Sequence, residues 1–136
     1  MKLVYSLISH FFLLISPIII IYRLLINKEH KKRYLERYAF NSLKRNKGKL
    51  IWFHCSSVGE LLSIVPIIEK FEKNSSIKQI LLTTTTLSSS KIIKKLNLKK
   101  TIHQFFPIDH NLVLDKFLNY WKPSIFFLCE SDIWPN

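Results

Sequence analysis

Two hydrophobic patterns divide the chain. From Leu3 to Tyr22, 20 consecutive positions carry no Asp, Glu, Lys or Arg. A helix of that length, rising about 1.5 Å per residue, matches the roughly 30 Å of bilayer hydrocarbon. Its polar positions are Ser6, Ser9, His10 and Ser16, and Pro17 predicts a kink. The run predicts a membrane anchor over residues 1–26. A cleaved leader fits less well, because no small-residue cleavage pattern follows and Arg23 comes at once. A buried core helix is the plain alternative, but a helix apolar on all sides needs a large core around it. Spanning and interfacial anchoring both fit the pattern.

Beyond Lys49, short apolar runs alternate with amphipathic stretches. Leu50–His54 reads as a buried strand. Val58–Lys73 reads as a helix, with Leu61, Leu62, Ile64, Val65, Ile67, Ile68 and Phe71 at three- and four-residue spacing. Pro66 inside it predicts a kink or a late helix start. Gln79–Thr84, Ile102–Phe106 and Ser124–Cys129 read as further strands, and Ser88–Leu96 and Leu112–Tyr120 as further helices. Strands apolar on both faces that alternate with helices predict an α/β fold, with a Rossmann-like parallel sheet over residues 49–136. In the strand order 3-2-1-4 the first and fourth strands are neighbours.

Composition and charge change the picture in one region. The 136 residues suffice for one ordinary domain. Lys plus Arg number 21 against 9 Asp plus Glu, a formal net charge of +12. Such a surplus points to an anionic partner, although part of it follows from a composition rich in Lys, Asn and Ile. Between Arg23 and Lys49, ten basic residues face only Glu29 and Glu36. Residues 27–48 therefore read as a basic juxtamembrane linker that keeps the bulk of the chain cytoplasmic and holds acidic headgroups. A solvated linker without a partner is the plain alternative. Tyr22, Tyr34, Tyr38 and Trp52 interleave with these charges, as in an interfacial belt or a base-stacking platform. No nucleic-acid fold signature accompanies them, so a nucleic-acid partner is not expected. Cys55 and Cys129 are too few and too far apart for a disulfide framework or a zinc knuckle. They fit free thiols in a reducing compartment, and no metal site is expected.

Ligands of open parallel sheets bind beyond the carboxyl ends of the strands. Two segments leave such ends: residues 55–60 (CSSVGE) and residues 130–136 (ESDIWPN). With the first and fourth strands adjacent, Glu60 and Glu130 face one crevice. Gly59 permits close approach of a ligand, and the following helix offers unpaired amides to an anion. Ser57 and Glu60 also match the S-x-x-E capping box, which is a purely structural reading of the same carboxylate. Glu130 has one too, as a strand-end carboxylate facing water or a Lys. His54 reads either as an acid–base group or as a hydrogen-bonded core residue. Thr83–Thr86 and Ser88–Ser90 read as helix-capping hydroxyls before phosphate ligands.

Taken together, these segments resemble the 3-deoxy-D-manno-octulosonic acid (Kdo) transferases of lipopolysaccharide core synthesis. Residues 54–60 (HCSSVGE) resemble that family's H-x-x-S-V-G-E motif, and residues 130–136 its E-T-E-L-W-P-N motif. Residues 36–40 (ERYAF) are similar to its E-R-Y-G-F segment. Thr83–Thr86 and Pro107–Asp109 follow its T-x-T and P-Y-D stretches in order. The departures are Cys55 and Ser56 in place of small residues, and Ser131, Asp132 and Ile133 in place of Thr, Glu and Leu.

The resemblance implies a partial N-terminal domain of a GT-B glycosyltransferase, bound to the cytoplasmic face of the inner membrane. It implies inverting transfer of Kdo from CMP-Kdo to a lipid A precursor, with no cofactor and no metal. The family's catalytic base falls on Glu60 and its second acidic residue on Glu130. Ser57, Gly59 and Arg37 become substrate-binding candidates. The donor-binding domain is expected outside residues 1–136, in a separate C-terminal half or a longer gene. A lipid-binding remnant without activity is the alternative.

Overall fold

The computed structural model describes residues 2–129, with side chains described from Leu7 onward. Helix α1 (Lys2–Leu25) is followed by a 3-10 turn (Tyr34–Tyr38) and then by the α/β unit. That unit runs β1 (Lys49–Cys55), α2 (Val58–Glu72), β2 (Ile77–Thr84), α3 (Leu87–Ile93), β3 (Thr101–Phe105), α4 (Asn111–Trp121) and β4 (Ile125–Leu128). The four strands form one parallel sheet in the order β3-β2-β1-β4. This is the 3-2-1-4 arrangement, in which the first and fourth strands are neighbours. Parallel strands need long crossovers, and the helical stretches between the apolar runs supply them.

Alternation along β1 builds the two sides of the core. Ile51, Phe53 and Cys55 pack with Leu61, Ile64 and Ile68 of α2 and Ile93 of α3. Leu50 and Trp52 pack on the other side with Val113, Phe117 and Trp121 of α4. Burying a large apolar side chain contributes about 1.5–3 kcal/mol, so these two clusters are the main favourable term. β4 is the outer strand of the described sheet, and its four side chains stay exposed on both faces.

Both prolines sit within unbroken helices: Pro17 in α1 and Pro66 in α2. α2 starts at Val58, so the late start does not occur. Pro66 lies on the solvent side of α2, where a carbonyl that lacks its amide partner remains open to hydration.

Residues 27–48 differ from a solvated linker. α1 stops where Asn27 takes a left-handed conformation and the Lys28 amide returns to the Arg23 carbonyl. The chain then buries two carboxylates. Glu36 accepts a two-pronged bond from Arg33 (2.8 and 2.9 Å), a bond from the Ser42 hydroxyl and one from the Phe105 amide at 2.9 Å. Glu29 accepts from Arg23 at 3.2 Å and Arg37 at 3.3 Å. The arginines of this stretch thus turn inward, Arg45 included, which donates to the Trp121 carbonyl at 2.6 Å. Its lysines, Lys28, Lys31, Lys32, Lys44, Lys47 and Lys49, stay exposed. The planar guanidinium fork suits carboxylates and carbonyls, whereas the ammonium group holds its water. Trp52 belongs to neither an interfacial belt nor a stacking platform. It is buried, and its indole N–H donates to the Thr83 hydroxyl at 2.9 Å.

Removing one partner of a buried ion pair leaves an uncompensated charge and costs about 3–5 kcal/mol. Arg33 keeps some contact with water, which places the expected loss for Glu36→Ala near the lower end, about 3 kcal/mol. Urea unfolding of the purified chain checks this, and a loss below about 1 kcal/mol would show the pair to be a surface contact.

Candidate functional site

The carboxyl ends of β1, β2 and β3 meet in one region. β1 ends at Cys55, and Ser57 takes an extended conformation as the N-cap of α2. Its hydroxyl accepts from the Glu60 amide at 3.2 Å. Glu60 reaches back, and its Oε2 accepts from the amides of Ser56 at 2.7 Å and Ser57 at 3.4 Å. The capping box read from spacing is therefore present in full. It fixes one carboxylate oxygen on the backbone. Among the described residues Oε1 accepts no hydrogen bond, which leaves it for an incoming hydroxyl.

Gly59 has no structural obligation here. Its φ is not in the left-handed region, and an added Cβ would meet only the Ser57 hydroxyl, at 4.0 Å. Glycine in a helix costs about 0.5–1 kcal/mol relative to alanine. Among the described residues nothing packs against it, so the bare backbone at Gly59 is open to close approach by another group.

Arg37 lies across the same end of the sheet, yet its guanidinium is largely spent on the fold. It donates to the carbonyls of Thr85 at 2.7 Å and Phe106 at 3.2 Å, besides its pair with Glu29. Thr85 is the residue that pattern reading left among helix-capping hydroxyls. Thr86 does cap α3, accepting from Ser89 at 3.2 Å, but the Thr85 hydroxyl donates to the Ser56 carbonyl at 2.7 Å. Arg37, Thr85, Ser56 and Glu60 thus form one chain of hydrogen bonds. Only the Thr85 position at the end of an apolar strand hinted at it.

His54 is a hydrogen-bonded core residue. Its Nδ1 lies 3.1 Å from the Thr83 carbonyl and 3.0 Å from the Thr83 hydroxyl. The ring stacks on Phe106 at 3.9 Å. Burial pulls its pKa down to about 4, against smaller opposing pulls from the Thr83 bond and the Glu60 charge. His103 behaves alike: burial, with Arg33 and Arg37 nearby, pulls it down to about 3.

A cavity of about 640 Å³ opens on the α4 side of the sheet beside this turn. Trp52, His54, Phe106 and Phe126 form an aromatic wall, Ser56 and Thr85 its edge toward Glu60, and Asp109, Asn111 and Asp115 a polar rim. Cys55 and Cys129 both lie on the opposite, α2 side of the sheet. The Cys129 amide bonds the His54 carbonyl at 2.9 Å, so the chain leaves β4 right beside β1. Glu130, expected to face Glu60, lies outside the described residues, as does the rest of 131–136. Ser57, Gly59 and Glu60 are brought together in one turn, and Arg37 is tied to it through Thr85.

Sheet order and crossover helices define an α/β unit of Rossmann-like build, with a strand-end carboxylate beside a cavity. Residues 32–136 match the family model for 3-deoxy-D-manno-octulosonic-acid transferase (kdotransferase), and the chain belongs to that family. A probable 3-deoxy-D-manno-octulosonic acid transferase, mitochondrial, of Arabidopsis thaliana is 40% identical over 125 residues, covering 90% of this chain and 28% of the relative. The 3-deoxy-D-manno-octulosonic acid transferase of Rickettsia bellii is 36% identical over 136 residues, covering 100% of this chain and 32% of the relative. The chain thus spans about a third of the length of these curated relatives. No solved structure matches the chain.

Two outcomes follow from this geometry. Ser57→Ala removes a helix cap and should cost about 1 kcal/mol, whereas Glu60→Gln preserves a box that glutamine also completes and should cost under about 0.5 kcal/mol. Thermal unfolding of both variants checks the contrast, and an equal loss in the two would contradict it. The second outcome concerns pH. His54 and His103 are neutral when folded, with pKa values far below the 6.5 of the unfolded chain. Below pH 6.5 the unfolded chain binds more protons. Their contribution is therefore complete above pH 6.5 and is lost as pH falls toward 4 and then 3. Each adds a slope of up to about 1.4 kcal/mol per pH unit. The Tm should fall between pH 6.5 and about 4.5, and His103→Gln should flatten the fall. A Tm constant over that window would show these rings to be solvated.

Proposed function

We propose that this chain supplies the acceptor side and the catalytic base for inverting transfer of Kdo from CMP-Kdo to a lipid A precursor. The observation that carries the reading is Glu60. It lies within the matched family segment, at a strand end, with one oxygen pinned by backbone amides and the other open. In the proposed step, Glu60 takes the proton from an acceptor hydroxyl as that oxygen attacks the anomeric carbon of Kdo. The bond from that carbon to the CMP phosphate oxygen breaks, and CMP leaves on the opposite face with the electron pair. A carboxylate held by two amides needs no rearrangement to meet the hydroxyl. The step calls on no metal. Glu130 is the second acidic group of the reading, and the bare Gly59 backbone with the Ser57 turn would receive the acceptor. Arg37 acts through Thr85 and Ser56 in place of direct contact.

The architecture fits the acceptor domain of a two-domain GT-B enzyme, with CMP-Kdo held mainly by a second domain. That domain belongs to the two thirds of the relatives' length that this chain does not span. α1 is long and apolar enough to cross a membrane by length and composition, and it would hold the chain at the cytoplasmic face of the inner membrane. A second reading is favoured by the capping box, which alone accounts for the Glu60 conformation. In it the chain is a membrane-bound module for acidic lipid without transfer activity.

One experiment separates the two. The gene, in its own genomic context, is supplied to cells lacking Kdo transfer, as wild type or as Glu60→Gln. Transfer restored by the wild type and reduced at least about 1,000-fold by the variant, with equal protein in membranes, is the expected result. Equal restoration by both would assign Glu60 to capping alone.

A further inference from the structure

α1 has two distinct faces. His10, Leu13, Ser16, Ile20 and Arg23, spaced three or four apart, form the face against the α/β unit. The His10 ring stands edge-on to His110 at 4.6 Å, and Leu13 packs on the cluster of Trp52 and Phe117. The Ser16 hydroxyl bonds that of Tyr38 at 2.9 Å, Ile20 is buried, and Arg23 pairs with Glu29 at 3.2 Å. The opposite face carries Leu7, Phe11, Leu14, Ile18, Ile21 and Leu25, also three or four apart. These six are between 56% and 78% exposed, and they form one unpartnered apolar stripe. Over 18 residues the stripe is about 27 Å long.

This two-sidedness conflicts with crossing a bilayer. α1 has 24 residues, and a crossing uses about 20 of them, so His10 to Ile20 would lie at membrane depth. Those residues hold the 3-10 turn and the start of α4, whose backbone ends and ionic groups would follow them into hydrocarbon. Unsatisfied backbone groups there cost several kcal/mol each. Lying flat avoids this: the stripe enters the leaflet, and the opposite face keeps its contacts. Just past the C-terminal end of α1, Lys28, Lys31 and Lys32 are exposed, while Arg33 and Arg37 are turned inward. A local cluster of lysines is the complement of acidic headgroups.

We propose that α1 is an in-plane anchor that stays docked on the α/β unit and sinks its Leu7–Leu25 stripe into one leaflet of an anionic bilayer. The proposal deepens the membrane part of the reading above, and its readout does not require Kdo transfer. Transfer by a chain with a crossing α1 would overturn this proposal alone.

The test uses the full chain, with Cys55→Ala and Cys129→Ala, bound to vesicles of phosphatidylethanolamine and phosphatidylglycerol. Single nitroxide labels replace Leu7, Phe11, Leu14, Ile18, Ile21 and Leu25 in turn. An in-plane helix places all six at one depth, about 5–10 Å below the headgroups. A crossing helix changes position by about 1.5 Å per residue along the bilayer normal, so Leu7 and Leu25 would lie about 27 Å apart near opposite interfaces, with Leu14 and Ile18 nearest the bilayer centre. That profile overturns the proposal, as does failure to bind the vesicles. A second measurement keeps the native cysteines. A cleavable N-terminal tag on chain added outside sealed vesicles should be removed completely by external protease, and protection of the tag overturns the proposal. Substituting Lys31→Gln and Lys32→Gln should weaken binding about 5-fold per charge, and unchanged binding would remove the anionic component.

Discussion

Two buried carboxylates set the arrangement of everything outside the sheet. Glu36 receives an arginine fork, a serine hydroxyl and the amide of Phe105 in β3, and it is almost wholly buried. Glu29 receives one arginine from α1 and another from the 3-10 turn. Ion pairs of this kind gain little over a well-packed apolar contact, but they tolerate few alternative arrangements. They fix where the segment after α1 runs, and so which side of α1 faces the α/β unit. The charge surplus of this region is accordingly split. Its arginines are committed to folding, and its lysines remain for an outside partner.

The same economy governs the strand-to-helix turn. A helix start must satisfy its first amides, and the Ser57–Glu60 box does so with side chains. That requirement also holds a carboxylate rigidly at the mouth of the sheet. The proposed chemistry and the cap therefore do not compete for Glu60, because one oxygen serves the amides and the other accepts no hydrogen bond among the described residues. Gly59 is different. Its backbone fits any residue and gains nothing from lacking a side chain, so its reason lies outside the described chain.

The sheet was legible because its signals are strong and local. β1, β2 and β4 are apolar runs bounded by polar turns; a parallel sheet with helices on both faces buries β1 and β2, while β4 at the edge of the described sheet stays exposed. The capping box was legible because it depends on spacing alone. The roles of Arg33 and Arg37 were not, since a charge count cannot tell a guanidinium folded onto a carboxylate from one in solvent. Trp52 read as interfacial because Lys49 lies three positions before it, yet the strand turns it onto α4. Thr85 stayed hidden for another reason. Its partner Ser56 is 29 residues away, and only strand pairing brings the two loops together. Arg37 read as a substrate-binding candidate, and its guanidinium is a strut tied to Glu29 and to the Thr85 and Phe106 carbonyls.

That strut joins the two functional ends of the chain. From Arg23 at the end of α1, contacts run through Glu29 to Arg37, then to the Thr85 carbonyl. The Thr85 hydroxyl continues to Ser56, whose amide holds Glu60. Every step is a hydrogen bond or ion pair of 3.3 Å or less. The path does not require two conformations, and a rigid path transmits no signal. Its effect is to set a distance. A helix docked by Arg23 and a carboxylate docked by Ser56 belong to one frame, so in the proposed in-plane arrangement the height of Glu60 above the leaflet is fixed by folding. An acceptor whose lipid part stays in the leaflet can present its sugar only within a narrow range of heights. A flexible linker between helix and sheet would spread the carboxylate over many heights and lose most encounters. The packed segment of residues 27–48 removes that freedom, which is why its arginines matter more to the site than the net charge they carry.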